Sequence, residues 1–234
     1  MKEQIVFDMY IDFFNTQEAK ATCHKCRENI ELSDPVSIWQ LGNEFDDSDF
    51  KVLFVGKTAR GLPEGSIFNQ TFWDSTNRAN DLYKDKRWPY WSYTRAICDS
   101  IYEENSWEKI AFTNMVKCNA SDTTDFTEDE IKDNCIIKNE IVLKEILCIK
   151  PLHIVFYTGY NYDSYIQKMF KDYNLNTISD TIKSIGAKQL PWWEFNITIN
   201  NKIVRCLRTG HPERKKKDAF VETVSNFIMG DQPC

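Results

Sequence analysis

Three short apolar runs, at residues 51–55, 110–113 and 152–157, punctuate this chain, and segments with helical spacing separate them. Each run is too short for a buried helix and lacks the polar alternation of a half-exposed strand, so it fits a strand covered on both faces. Strands joined by helical crossovers run parallel, and their helices pack on the sheet. An α/β layer structure with a mostly parallel sheet follows. In such a sheet, ligands bind beyond the carboxyl ends of the strands. Gly56, Asn114, Gly159 and the segment after Leu207 lie at those ends.

The intervening segments agree with that plan. Residues 4–15 place Ile5, Met9 and Phe13 at the spacing of an amphipathic helix, and residues 91–104 do so with Ile97 and Ile101. Thr127-Glu128-Asp129-Glu130 reads as a capping box that opens a helix running to about Cys148. A helix is expected at 165–173. A hairpin is expected from 195–199 through Asn200-Asn201 to 203–207, and a last helix has Phe220, Val224, Phe227 and Ile228 inward. Residues 69–90 have no clear period and read as an insertion or long loop. No repeat or linker divides the 234 residues, so one domain spanning 1–234 is expected.

Composition narrows the function classes. Hydrophobic residues make up 42% and charged residues 27%, a globular balance. No apolar run reaches the length of about 18 residues needed to span a membrane. The N-terminus lacks an apolar signal core, so the reducing cytoplasm is the expected compartment and a membrane partner is not expected. There, the eight cysteines are metal ligands or buried thiols before they are disulfides. A net charge of −6 excludes a histone-like coat but leaves room for a local basic patch. Arg208, Arg214, Lys215, Lys216 and Lys217 form one. Adjacent cations fit poorly at the positive end of a helix dipole, which favours an external anion. A solvated helix start is the plainer alternative.

Cys23 and Cys26 form a CxxC that a tight turn would aim at one centre, and Cys118 and Cys135 supply a distant second pair. Four thiolates suit zinc or a [4Fe–4S] cluster, and spacing alone does not choose between them. Cys98, Cys148, Cys206 and Cys234 read as ordinary thiols.

Phe112-Thr113-Asn114-Met115-Val116-Lys117-Cys118, then Thr127 to Cys135, then Lys150-Pro151 before an apolar run, resemble the iron–sulfur branch of the uracil-DNA glycosylase superfamily. The order of elements matches over nearly the whole chain: Cys23 and Cys26, Gly56 closing a strand, Gly65-Ser66-Ile67-Phe68, and His211-Pro212. The resemblance implies a three-layer α/β/α sandwich and a structural [4Fe–4S] cluster on Cys23, Cys26, Cys118 and Cys135. It also implies a monomeric, monofunctional DNA glycosylase that flips a uracil or modified pyrimidine out of DNA and leaves an abasic site. Repair and defence against modified phage DNA are both settings in which such chemistry serves.

The chemistry assigns roles to the matching residues. A flipped base needs a stacking face, an edge reader and a donor for the charge that leaves with it. Phe68 is the candidate stacking ring, with a plain core phenylalanine as the alternative in a chain that has fifteen. Asn114 is the candidate edge reader, because its amide offers a donor beside an acceptor. One orientation matches uracil and the other cytosine. His211 is the candidate donor to the departing base. Gly56 and Lys57 line the substrate side in this reading, and the basic patch meets the DNA backbone.

The first motif departs from the family. Lys57 stands where the family has Glu, Ala59 where it has Pro, and the spacing from Gly56 to Phe68 is short. The attacking water would then be oriented by Thr58 or by Glu64, the one carboxylate in that loop. A base other than plain uracil is one consequence, with Phe72, Trp73, Trp88, Tyr90, Trp91, Trp192 and Trp193 as candidate walls of an enlarged pocket. The other is a catalytically weak or inactive iron–sulfur protein that binds DNA.

Overall fold

The computed structural model describes residues 2–28, 32, 35–36, 38–59, 81, 84, 89–118, 127–213 and 215–230. Helices α1 (Lys2–Asn15) and α2 (Gln17–Arg27) come first, then strands β1 (Gln40–Leu41) and β2 (Val52–Thr58). Helix α3 (Pro89–Ile101) leads to β3 (Ile110–Val116). A short α4 (Asp129–Lys132), a π-helical stretch (Asp133–Lys138) and α5 (Ile141–Ile149) precede β4 (His153–Phe156). Helix α6 (Asp163–Met169), strands β5 (Asn176–Ile185), β6 (Lys188–Ile199) and β7 (Lys202–Arg208), and helix α7 (Lys217–Met229) complete the order.

The strands form one seven-stranded sheet in the order β1-β3-β2-β4-β7-β6-β5. The central four, β3-β2-β4-β7, are parallel; β1, β6 and β5 run antiparallel to their neighbours. Alternation along each strand feeds two cores. Leu53, Val55, Ala111, Met115, Ile154 and Phe156 face α1, α5 and α6. Val52, Phe54, Ile110, Phe112, Val155 and Tyr157 face α3 and α7. With helices on both faces, the expected three-layer α/β/α arrangement is observed. Among the described residues, no helix is long and apolar enough to cross a membrane.

Three local expectations change. The CxxC is not a turn: both cysteines lie in α2, three apart and so on one helical face. Its N-cap is Thr16, whose hydroxyl accepts the Ala19 N–H at 3.2 Å. The capping box does not form: the N-cap is Glu128 with no side-chain bond, and the Thr127 hydroxyl is instead 2.6 Å from that of Thr58. The long helix after it is broken, by the π-helical stretch and by Glu140 in a left-handed conformation (φ 51°). Apolar spacing continues through the break, which is why periodicity alone reads one helix there.

Strand β5 and the first half of β6 were not expected from the sequence. Ile178 and Ile182 of β5 are exposed at the sheet edge, so no buried stripe marks that strand. Arg208 pairs with Trp193, and so residues 188–192 of β6 and their partners 181–185 of β5 run on past the end of β7. At about 3.3 Å per residue the overhang is about 16 Å, on the carboxyl side of the parallel strands. Pro191 is tolerated because it lies beyond Trp193, where β6 has a partner strand on one side only.

Candidate functional site

The four predicted cysteines line one cavity, together with Phe14, Leu32, Pro35, Lys117, Asn134 and Asn139 among others. Helix α2 brings Cys23 and Cys26, the end of β3 brings Cys118, and the π-helical stretch brings Cys135. A π-helical turn is wider than an α turn and often marks a functional position. Here it presents the Cys135 sulfur to the Lys117 backbone N–H, which donates to it at 3.4 Å. The Asn134 amide donates to Cys26 Sγ at 3.1 Å, and the Asn139 amide to Cys23 Sγ at 3.8 Å. Three of the four sulfurs thus accept an N–H bond, the pattern that stabilises thiolate ligands and tunes a cluster. Sequence reasoning missed both asparagines; their signal was only their closeness to Cys135.

Electrostatics agree with convergence. Burial pushes the Cys118 thiol well above its ordinary value, and Cys135, Cys23 and Cys26 add to the rise. Burial likewise pushes Cys135 up to about 11, with the Lys117 N–H bond and ammonium opposing it and Cys23 and Cys26 adding to it. Thiols that repel one another as anions at one place need a cation between them to ionise. The donor set of four sulfurs, three of them accepting N–H bonds, is of a kind that suits a metal centre. Among the described residues, no three His, Cys, Asp or Glu side chains are grouped as closely as ligands of a single ion.

A buried polar network backs this cavity. Lys117 Nζ donates to both Glu145 carboxylate oxygens, at 2.7 and 2.8 Å, and to the Thr113 hydroxyl at 2.5 Å. Thr113 and Tyr10 donate to the same carboxylate. Burial drives Glu145 up and Lys117 down, to about 7, each towards its neutral form. The network pins α1, β3 and α5 behind the cysteines. Glu145→Ala leaves Lys117, Thr113 and Tyr10 without their shared buried acceptor and is expected to cost about 3–5 kcal/mol, read by chemical denaturation.

A second cluster sits at the carboxyl end of the sheet. Gly56 of β2 is in register with Asn114 of β3. Asn114 is buried, and its Oδ1 lies 2.3 Å from the point where a Cβ on Gly56 would stand. Any side chain at 56 would displace the amide. The Tyr90 hydroxyl lies 3.0 Å from the same point, and the Tyr90 ring is 5.1 Å from the His211 ring. Tyr90, from the start of α3, therefore connects the two candidate residues across one space. The Glu213 N–H donates to His211 Nδ1 at 3.2 Å, an arrangement that occupies Nδ1 as an acceptor and makes Nε2 the ring nitrogen to act as donor. The Glu213 carboxylate is 3.9 Å from the same Nδ1, too far to compete with that bond.

The other candidates divide. Thr58 shares its hydroxyl with Thr127, so a water held there would share it too. Arg208 is corrected from a DNA contact to a structural residue: it is 2% exposed, and its guanidinium makes a bidentate pair with Asp163 at 2.7 and 2.6 Å. Lys215 Nζ bonds the His211 carbonyl, Lys217 Nζ donates to Ser92 at 2.8 Å, and Lys216 is exposed. Trp192 and Trp193 are buried in opposite cores, and Trp91 is buried as well. Glu64, Phe68, Phe72, Trp73, Trp88 and Arg214 lie outside the described residues.

No family model matches the chain, and a search of curated proteins finds no match. The family resemblance accordingly stands on the motifs and their placement.

Proposed function

We propose that the protein is a DNA glycosylase that excises a uracil or modified pyrimidine and carries a [4Fe–4S] cluster on Cys23, Cys26, Cys118 and Cys135. The observation that carries this reading is the placement of Asn114 and the Tyr90 hydroxyl over Gly56 at the carboxyl ends of the strands, with the His211 ring against the Tyr90 ring. A base edge and a leaving-group oxygen need such a pair of groups on two sides of one space. In the reaction the C1′–N bond breaks with its electron pair going to the base. Water supplies hydroxide to C1′ and a proton to the departing base. His211 Nε2–H stabilises the charge as it builds on the base oxygen, and Asn114 holds the pairing edge. The cluster, when bound, supplies structure: it joins α2, the end of β3 and the π-helical stretch. A cytoplasmic, monomeric enzyme is part of the proposal.

A second reading has its own support. Lys57 occupies the place of an acid, and the Thr58 hydroxyl is bonded to Thr127, so water activation is weak and the protein would bind DNA with little excision. One screen separates the two. Oligonucleotides carrying uracil, hypoxanthine, and modified cytosines including glycosylated ones are incubated with the protein, and abasic sites are revealed by alkaline cleavage. Cleavage at any one base supports the enzyme. Retained DNA binding with no cleavage at all supports the second reading.

A further inference from the structure

The overhang of β5 and β6 carries Gly186 at its tip in a left-handed conformation (φ 61°), followed by Ala187 and the exposed Lys188. The tip packs on the basic run: a Cβ on Gly186 would lie 3.0 Å from Lys216 Cβ and 3.3 Å from its Cδ. The buried Ile185 and Leu190 anchor this part of the hairpin in the same core as Phe220 of α7. Lys215 is held from the other side. Its ammonium bonds the His211 carbonyl, and its own carbonyl accepts the Tyr93 hydroxyl at 2.5 Å. Lys57 lies near the end of β2, half-buried.

We propose that Lys188 and Lys215 form a seat for one phosphodiester of a DNA strand, with the overhanging β5–β6 hairpin as one arm of the DNA-contacting surface. Two segments far apart in sequence meet here: the hairpin tip at Gly186 packs on Lys216, and the neighbouring Lys215 is bonded to the His211 carbonyl. Burial first, then the positive charges of Lys188 and Lys57, push Lys215 down to about 8, and Glu213 opposes them least. Like charges brought together around a half-buried ammonium are stabilised when a bound anion neutralises them. The expected ligand is a backbone phosphate next to the extruded nucleotide, because the ammonium is tied to the His211 carbonyl.

This inference rests on the DNA reading and deepens it by naming a contact element that lies outside the 208–217 patch. The test measures binding of a fluorescent DNA duplex to the full chain over a salt series, for wild type, Lys188→Gln and Lys202→Gln. Lys202 is exposed at the amino end of β7, so it controls for net charge alone. The slope of log affinity against log salt is expected to shrink by about 0.9 in Lys188→Gln and to stay at the wild-type value in Lys202→Gln. Equal slopes in all three proteins, or equal losses in both variants, overturn the phosphate seat. If excision is intact under those outcomes, the glycosylase reading survives. A slope that depends on Lys188 in a protein that excises no base keeps the seat and removes the enzyme. Wild type with no DNA affinity removes both.

Discussion

His211→Ala is expected to lower the rate of base release by about a hundred- to a thousand-fold, the usual cost of removing one donor to a developing oxyanion. The Glu213 N–H holds Nδ1 as acceptor at 3.2 Å, which makes Nε2 the nitrogen to donate to a base. A donor already in place strengthens as charge builds on the base, and kcat and kcat/KM should fall together. Asn114→Ala should behave differently, because the amide reads the base in both ground and transition states. About 1–3 kcal/mol of base discrimination should be lost, with KM rising as well as kcat falling. Single-turnover kinetics on the best substrate from the screen separate the two patterns. Unchanged rates in both variants would remove these residues from the site.

Cys118→Ala should strip the metal centre and destabilise the fold. Cys118 is the proposed ligand on which burial and three neighbouring thiols act together, raising its thiol well above the ordinary value, so a bound metal would be needed for it to ionise readily. Without the cluster, α2, β3 and the π-helical stretch lose their common anchor. Each 1 kcal/mol lost should lower Tm by about 2–4 °C for a chain of this size. The contrasting variant is Cys206→Ala. Cys206 is a fully buried core thiol on β7, and its loss should leave the iron content unchanged. Asn134→Ala should fall between, since loss of a bond to a ligand sulfur costs about 10- to 100-fold in metal affinity. Iron analysis and thermal melts on the three variants read these expectations together.

The parallel centre of the fold was legible because its strands are apolar on both faces, as Val52 to Val55 and Ile110 to Phe112 are. Strand β5 was not, since an edge strand with Ile178 and Ile182 in solvent buries too little to leave a period. Cys23, Cys26, Cys118 and Cys135 were legible as a set from type and spacing, but their scaffolding was not. A helix and a tight turn can both carry CxxC. Nothing in the order Asp133-Asn134-Cys135 announces a π-helical turn. The resemblance singled out Asn114 and His211, and Tyr90 was named as a candidate pocket wall, but its place beside both was not legible, because the contact joins residues from different elements. Arg208 was misplaced because a basic residue beside a basic run reads as part of it; its partner, Asp163, is 45 residues away.

The proposed cluster requires two thiolates from α2 and two from the middle of the chain to hold one inorganic centre. The direct measurement is metal and acid-labile sulfide per chain in protein purified without oxygen. About four irons and about four sulfides per chain are expected, with a brown colour that Cys118→Ala abolishes. About one zinc per chain, with no sulfide, would contradict that expectation.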